Sequence, residues 1–148
     1  MNENNMLKVK ELLYNTDLNE VKNMLSKTED EEVLYVYAYN YNWDNGFEIP
    51  KVIIDNRKCD LSIALLIFYN ADGFNYLLDK TERINLPLWS TFIKELYDDI
   101  IHGKYKKGEI EYKVFLSKVE LFKLQKLLKE EEYVFISNLE GKCLDINI

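Results

Sequence analysis

Glycine, proline, cysteine and histidine are all scarce in this chain, with five, two, two and one among 148 residues. So few glycines leave no phosphate-cradling loop of either glycine-rich kind. Cys59 and Cys143 lie far apart in sequence, so no disulfide framework is expected, and both read as reduced thiols of a cytoplasmic protein. One histidine, His102, and two distant cysteines do not make a zinc site, and no run of acids has calcium-loop spacing. No serine has a nucleophile-elbow context, and no dyad is visible for either cysteine. No apolar stretch approaches the ~20 residues of a membrane span; the longest is Ile63 to Tyr69. The opening Met-Asn-Glu-Asn-Asn lacks the basic, then apolar, order of a signal peptide. These shortages predict no catalytic residues, no metal, no cofactor and no membrane partner.

What is present is apolar and acidic. Apolar residues make up 47% and aromatics 14%, which excludes disorder and predicts one domain over residues 1–148. The net charge of −7 is uneven: residues 1–50 carry −6, residues 51–100 carry −2 and residues 101–148 carry +1. An acidic first third disfavours nucleic acid and suits a basic protein partner. Lys104, Lys106 and Lys107 around Tyr105 form a small basic–aromatic cluster, which the composition reads as a solvated loop.

One phrase recurs: Tyr14-Asn-Thr-Asp17, Tyr41-Asn-Trp-Asp44 and Tyr69-Asn-Ala-Asp72, with Tyr97-Asp-Asp99 a further 28 residues on. Apolar residues precede each tyrosine by eight (Met6, Val33, Leu61, Trp89) and by five (Val9, Val36, Ala64, Phe92). That spacing keeps one helix face apolar, so each unit reads as a helix ending near its tyrosine. A fixed period of this size suggests stacked helical units, a scaffold that presents binding surfaces.

The pattern predicts a helix over Asn5–Tyr14, a second capped by Asp17, and a third opened by a Thr28/Glu31 capping box. Tyr35, Tyr37, Tyr39, Tyr41 and Trp43 alternate like a strand, but the cap and the repeat favour helix. Asn45-Gly46 marks a turn. Pro50 to Ile54, Leu61–Asn70 behind Asp60, a turn over Phe74–Leu78, and Pro87 to about His102 follow as helices. The remainder reads as a strand over Ile110–Val114, a helix from the Ser117/Glu120 box to about Glu131, and a hairpin of Tyr133–Ser137 and Lys142–Ile146 turning at Glu140-Gly141. The expected fold is thus mainly α (α+β): an antiparallel helical-hairpin array over residues 1–103, packed on a strand–helix–hairpin cap over 104–148.

The segments YNWDNGFEIP (Tyr41–Pro50) and CDLSIALLIFYNADGF (Cys59–Phe74) resemble a bacterial family known as domain of unknown function 4274. Its motifs read NWDDGFEIP and CDLGTAL. Here Asn45 replaces the second aspartate, and Ser62-Ile63 the Gly-Thr pair. The similarity runs through Trp89 and Phe92 to the lysine-rich last helix, so the resemblance would cover most of the chain. The family looks like cytosolic bacterial proteins with no assigned reaction, similar in style to immunity proteins.

The densest polar cluster is Asn42, Asp44, Asn45 and Glu48, interleaved with Trp43 and Phe47. Two readings compete. As a site, Asp44 and Glu48 would be paired carboxylates of an enzyme of unknown reaction. As structure, the cluster is a turn whose amides are bonded locally and whose aromatics plug the core. The leading expectation is a non-enzymatic protein-binding module, in the form of an immunity protein that neutralises a basic toxin. Glu29, Asp30, Glu31 and Glu32, with Asp44 and Glu48, would meet the partner beside Asn42, with Tyr39 or Trp43 as anchor. A self-associating adaptor is the third reading, and the sequence does not fix the oligomeric state.

Overall fold

Short polar side chains open most of the helices. Asp17 accepts the N–H groups of Asn19 and Glu20, Asp30 that of Glu32, Asp60 that of Ile63, and Ser117 that of Glu120. Each satisfies a donor that the first helical turn leaves unpaired. In the computed structural model, which describes all 148 residues, the helices are α1 Glu3–Tyr14, α2 Leu18–Ser26, α3 Glu31–Tyr39, α4 Glu48–Asp55, α5 Leu61–Asn70, α6 Gly73–Leu78, α7 Pro87–Ile101 and α8 Lys118–Leu127. Short 3-10 helices cover Trp43–Asn45 and Glu130–Ile136.

Helices α1, α3, α5 and α7 pack in chain order, and α2 packs on α4 alongside them. The centre is α5, whose residues Ser62 to Phe68 are all buried. Its sequence has no polar face, as suits a helix covered all round. Ser62 fits there because its hydroxyl donates to the Ile110 carbonyl at 2.6 Å. One cluster of 35 buried apolar residues joins the helices to the C-terminal segment.

The recurring phrase has four different local outcomes. Tyr14 ends α1 and is exposed, while Asp17 caps α2. Tyr41 is buried after α3, and its hydroxyl donates to the Gly46 carbonyl at 2.7 Å. Tyr69 lies inside α5, and Asp72 takes a left-handed φ of 64° before α6. Tyr97 sits in the middle of α7, which runs on to Ile101.

The cap over 104–148 is not a strand–helix–hairpin. There is no strand or sheet; only isolated bridges pair Ile110 with Lys142 and Tyr112 with Leu139. The alternation over 110–114 is real in burial: Ile110 and Tyr112 are buried, and Lys113 is exposed. It reports a chain laid along the helical core rather than a ladder. Residues 130–136 form a 3-10 helix that buries Glu132 and Phe135, a spacing of three that suits its period. Other corrections are local. Asp30, not Thr28, caps α3, while the Thr28 hydroxyl donates to the Met24 carbonyl. α4 begins two residues before Pro50. α8 ends at Leu127, where Leu128 and Lys129 turn extended.

Candidate binding site

The Asn42–Glu48 segment is a structural turn. Asn42 accepts the Asp44 N–H at 3.0 Å and opens the 3-10 turn, and Gly46 closes it at a φ of 87°, which favours glycine. Trp43 is half-buried, edge-on to Tyr41, Phe47 and Phe92 with centroids 5.2, 6.1 and 6.4 Å away. This aromatic cluster fixes the turn onto α7. Asp44 and Glu48 are exposed, and neither lines any of the principal clefts. Glu48 pairs with Lys22 of α2 at 3.1 Å.

The other expected acids are also largely engaged within the chain. Glu32 accepts Lys142 Nζ at 2.6 Å, and Glu29 pairs with Arg57 at 2.6 Å. Asp30 accepts the Asn5 side chain at 2.7 Å. Glu31 is half-buried, and its charge helps hold the neighbouring Asp60 carboxyl above the usual range, an effect led by burial. The structure therefore does not gather Glu31, Glu32, Asp44 and Glu48 into one free acidic surface.

Tyr39 has different surroundings. It forms a shared wall between two clefts. One, of about 380 Å³, is lined by Tyr39, Leu66, Tyr69, Asn70, Tyr112 and Phe115. The other, of about 140 Å³, lies among Tyr35, Tyr39, Ile110, Phe115, Leu144 and Ile146, with Glu111 and Lys113 at its edge. Phe115 borders both and is 79% exposed. Helix α3 supplies Tyr35 and Tyr39 one turn apart, α5 supplies Leu66 and Tyr69, and the extended chain after Gly108 supplies Tyr112 and Phe115. The walls are rigidly held: Tyr69 donates its hydroxyl to the Phe135 carbonyl, and Asn40 donates to the Ile146 carbonyl at 3.0 Å.

Burial pushes the Tyr35 hydroxyl up to about 12 and holds Tyr69 and Tyr112 higher still. The grooves are therefore walled by neutral phenols. They offer apolar area and ring edges.

Of the expected contact residues, Tyr39 borders both clefts; Phe115 was not among them. A signal was there: Ile110, Tyr112 and Val114 take one side of an alternating run, so Phe115 falls on the polar side with Glu111 and Lys113. The remaining candidates are structural. Tyr105 is buried and donates to the Ile54 carbonyl at 3.2 Å, with Lys104 Nζ 5.4 Å from its ring centre, so its ring is not free at the surface. His102 closes α7 with Nδ1 2.6 Å from the Asp98 carbonyl. Cys59 is buried, which raises its thiol far above the ordinary range, and Cys143 is exposed and unpaired.

No curated protein and no solved structure matches the chain. The family similarity covers less than its motifs suggested, since it stops short of the lysine-rich α8. Residues 29–101, from the residue before the α3 cap to the end of α7, match the model of the domain of unknown function DUF4274, and this is the family that the chain resembles.

Proposed function

We propose that the protein is a non-enzymatic protein-binding module of the cytoplasm, an immunity protein that neutralises a cognate toxin. The observation that carries this reading is Phe115, a large aromatic left exposed at the edge of two adjoining clefts with Tyr39 between them. Aromatic anchors beside preformed grooves are the features that concentrate binding energy at protein interfaces. The acidic first third adds steering toward a basic partner. Exposed charge outside any ion pair is on Glu3, Glu11, Asp17 and Glu20 of the α1–α2 end and on Asp44, whereas Glu32 and Glu48 are paired.

Co-expression with the product of the neighbouring gene tests the reading. Cells carrying both should survive, the two proteins should co-purify, and Phe115→Ala or Tyr39→Ala should weaken the complex roughly tenfold or more. No partner and no protection would remove it. Asp44→Asn should leave protection intact, since Asp44 takes no part in the groove; a loss of function there would revive the carboxylate reading.

A further inference from the structure

The extended chain that leads to Phe115 is bonded along one edge and open along the other. Successive residues of an extended backbone turn their N–H and C=O groups to opposite edges. On the first edge Tyr112 exchanges two bonds with Leu139, at 2.9 and 2.8 Å, and the Val114 N–H donates to the Asn138 side chain at 2.9 Å. On the second edge the Glu111 N–H donates to the Lys142 carbonyl at 3.0 Å, and the Lys142 N–H to the Glu109 carbonyl at 2.7 Å. There the pairing stops. The Glu111 carbonyl, and both the N–H and the C=O of Lys113 and of Phe115, have no partner in the chain.

The segment that could have met them turns away. Residues 110 and 142 form a parallel bridge, but the N–H and C=O of Leu144 and the N–H of Ile146 are unbonded. Asn40 of α3 holds this second segment by donating to the Ile146 carbonyl at 3.0 Å. The opening between the two segments is the cleft of about 140 Å³, which Tyr35 and Tyr39 also line. A row of alternating main-chain donors and acceptors is matched by another polypeptide backbone. A compact apolar ligand would leave every one of them unmet.

We infer that the partner enters this site as an extended segment, adding one strand to the Glu111–Phe115 edge. Its main chain bonds the N–H and C=O groups of Lys113 and Phe115, and an apolar side chain enters the cleft beside Tyr39 and Leu144. The edge is recessed, since Leu144 and Ile146 face it across the cleft. Two recessed edges cannot meet, so the occupant is a free extended segment and not the same edge of a second copy. The inference rests on the proposed function, because it states the form in which that partner reaches the groove beside Phe115.

Titration of the full chain with the neighbouring gene's product, together with amide hydrogen exchange of the complex, tests it. The Lys113 and Phe115 amides, open in the free chain, should exchange roughly tenfold or more slower in the complex. Lys113→Pro removes a main-chain donor that the chain itself does not use, at an extended position, so its melt should match that of Lys113→Ala. Its affinity should fall about tenfold below that of Lys113→Ala, which keeps the donor. If the wild type binds but these amides stay fast, the added strand is overturned and the groove reading stands. The same holds if the two variants bind alike. Should Lys113→Pro melt lower than Lys113→Ala, exchange in the wild-type complex decides by itself. A wild type that binds nothing removes the proposed function and this inference with it. Protection of the same amides in a dimer of the chain alone makes the occupant a second copy, and also overturns it.

Discussion

At the scale of the residue, the two buried carboxyls behave in opposite ways. Asp60 caps α5 through one oxygen, while its other oxygen is buried without a partner, against Gly108. Burial, with the charge of Glu31 as a lesser cause, raises its pKa above the ordinary value; bonds from the Ile63 and Ser62 amides offset this in part. The folded state then holds the proton more tightly than the unfolded chain. The stabilisation is full below the ordinary carboxylate range and is lost as pH rises through the raised value. Asp60→Asn keeps a good cap and removes the charge. Its melting temperature should gain on the wild type as pH rises from about 4 to about 7, read from thermal melts at several pH values. A constant gap between the two proteins would contradict the assignment.

At the scale of the element, Glu132 docks the last 3-10 helix. Burial raises its pKa, but Lys80 at 2.9 Å, the Tyr97 hydroxyl at 2.7 Å and the Lys129 amide outweigh that, and the net shift is downward. Its contribution is present above the unfolded value and fades as pH falls through the lowered one. Glu132→Ala should cost about 2 kcal/mol in chemical denaturation near neutral pH, and less in acid. Caps such as Asp17, Asp60 and Ser117 were legible in the sequence because the bond they make spans two or three residues. The 3-10 helix was not. Its Tyr133–Ser137 run is rich in strand-forming residues, and what decides its shape is contact with Tyr69, Tyr97 and Phe68, distant in sequence. Phe115 escaped for the same reason: the groove it borders is built by α3 and α5.

At the scale of the whole molecule, the C-terminal segment is part of the core rather than an appendage. Phe135 is fully buried, 4.7 Å from Phe68 and stacked on Tyr97 at 5.2 Å. Phe135→Ala should cost about 3–5 kcal/mol and lower the melt as one transition. A second, separate transition would show that residues 104–148 fold independently. The same arrangement sets the proposed interface, since the segment that closes over α5 also carries Phe115 to Tyr39. Charge is distributed over the whole chain too: Lys142 reaches Glu32 and Arg57 reaches Glu29, so part of the acidic third is matched by cations from the rest of the chain. The most direct measurement is calorimetric titration of the chain with the neighbouring gene's product, set beside Phe115→Ala. We predict saturable one-site binding that the substitution weakens roughly tenfold or more without changing the melt; equal affinity for the two proteins would contradict the groove as the binding surface.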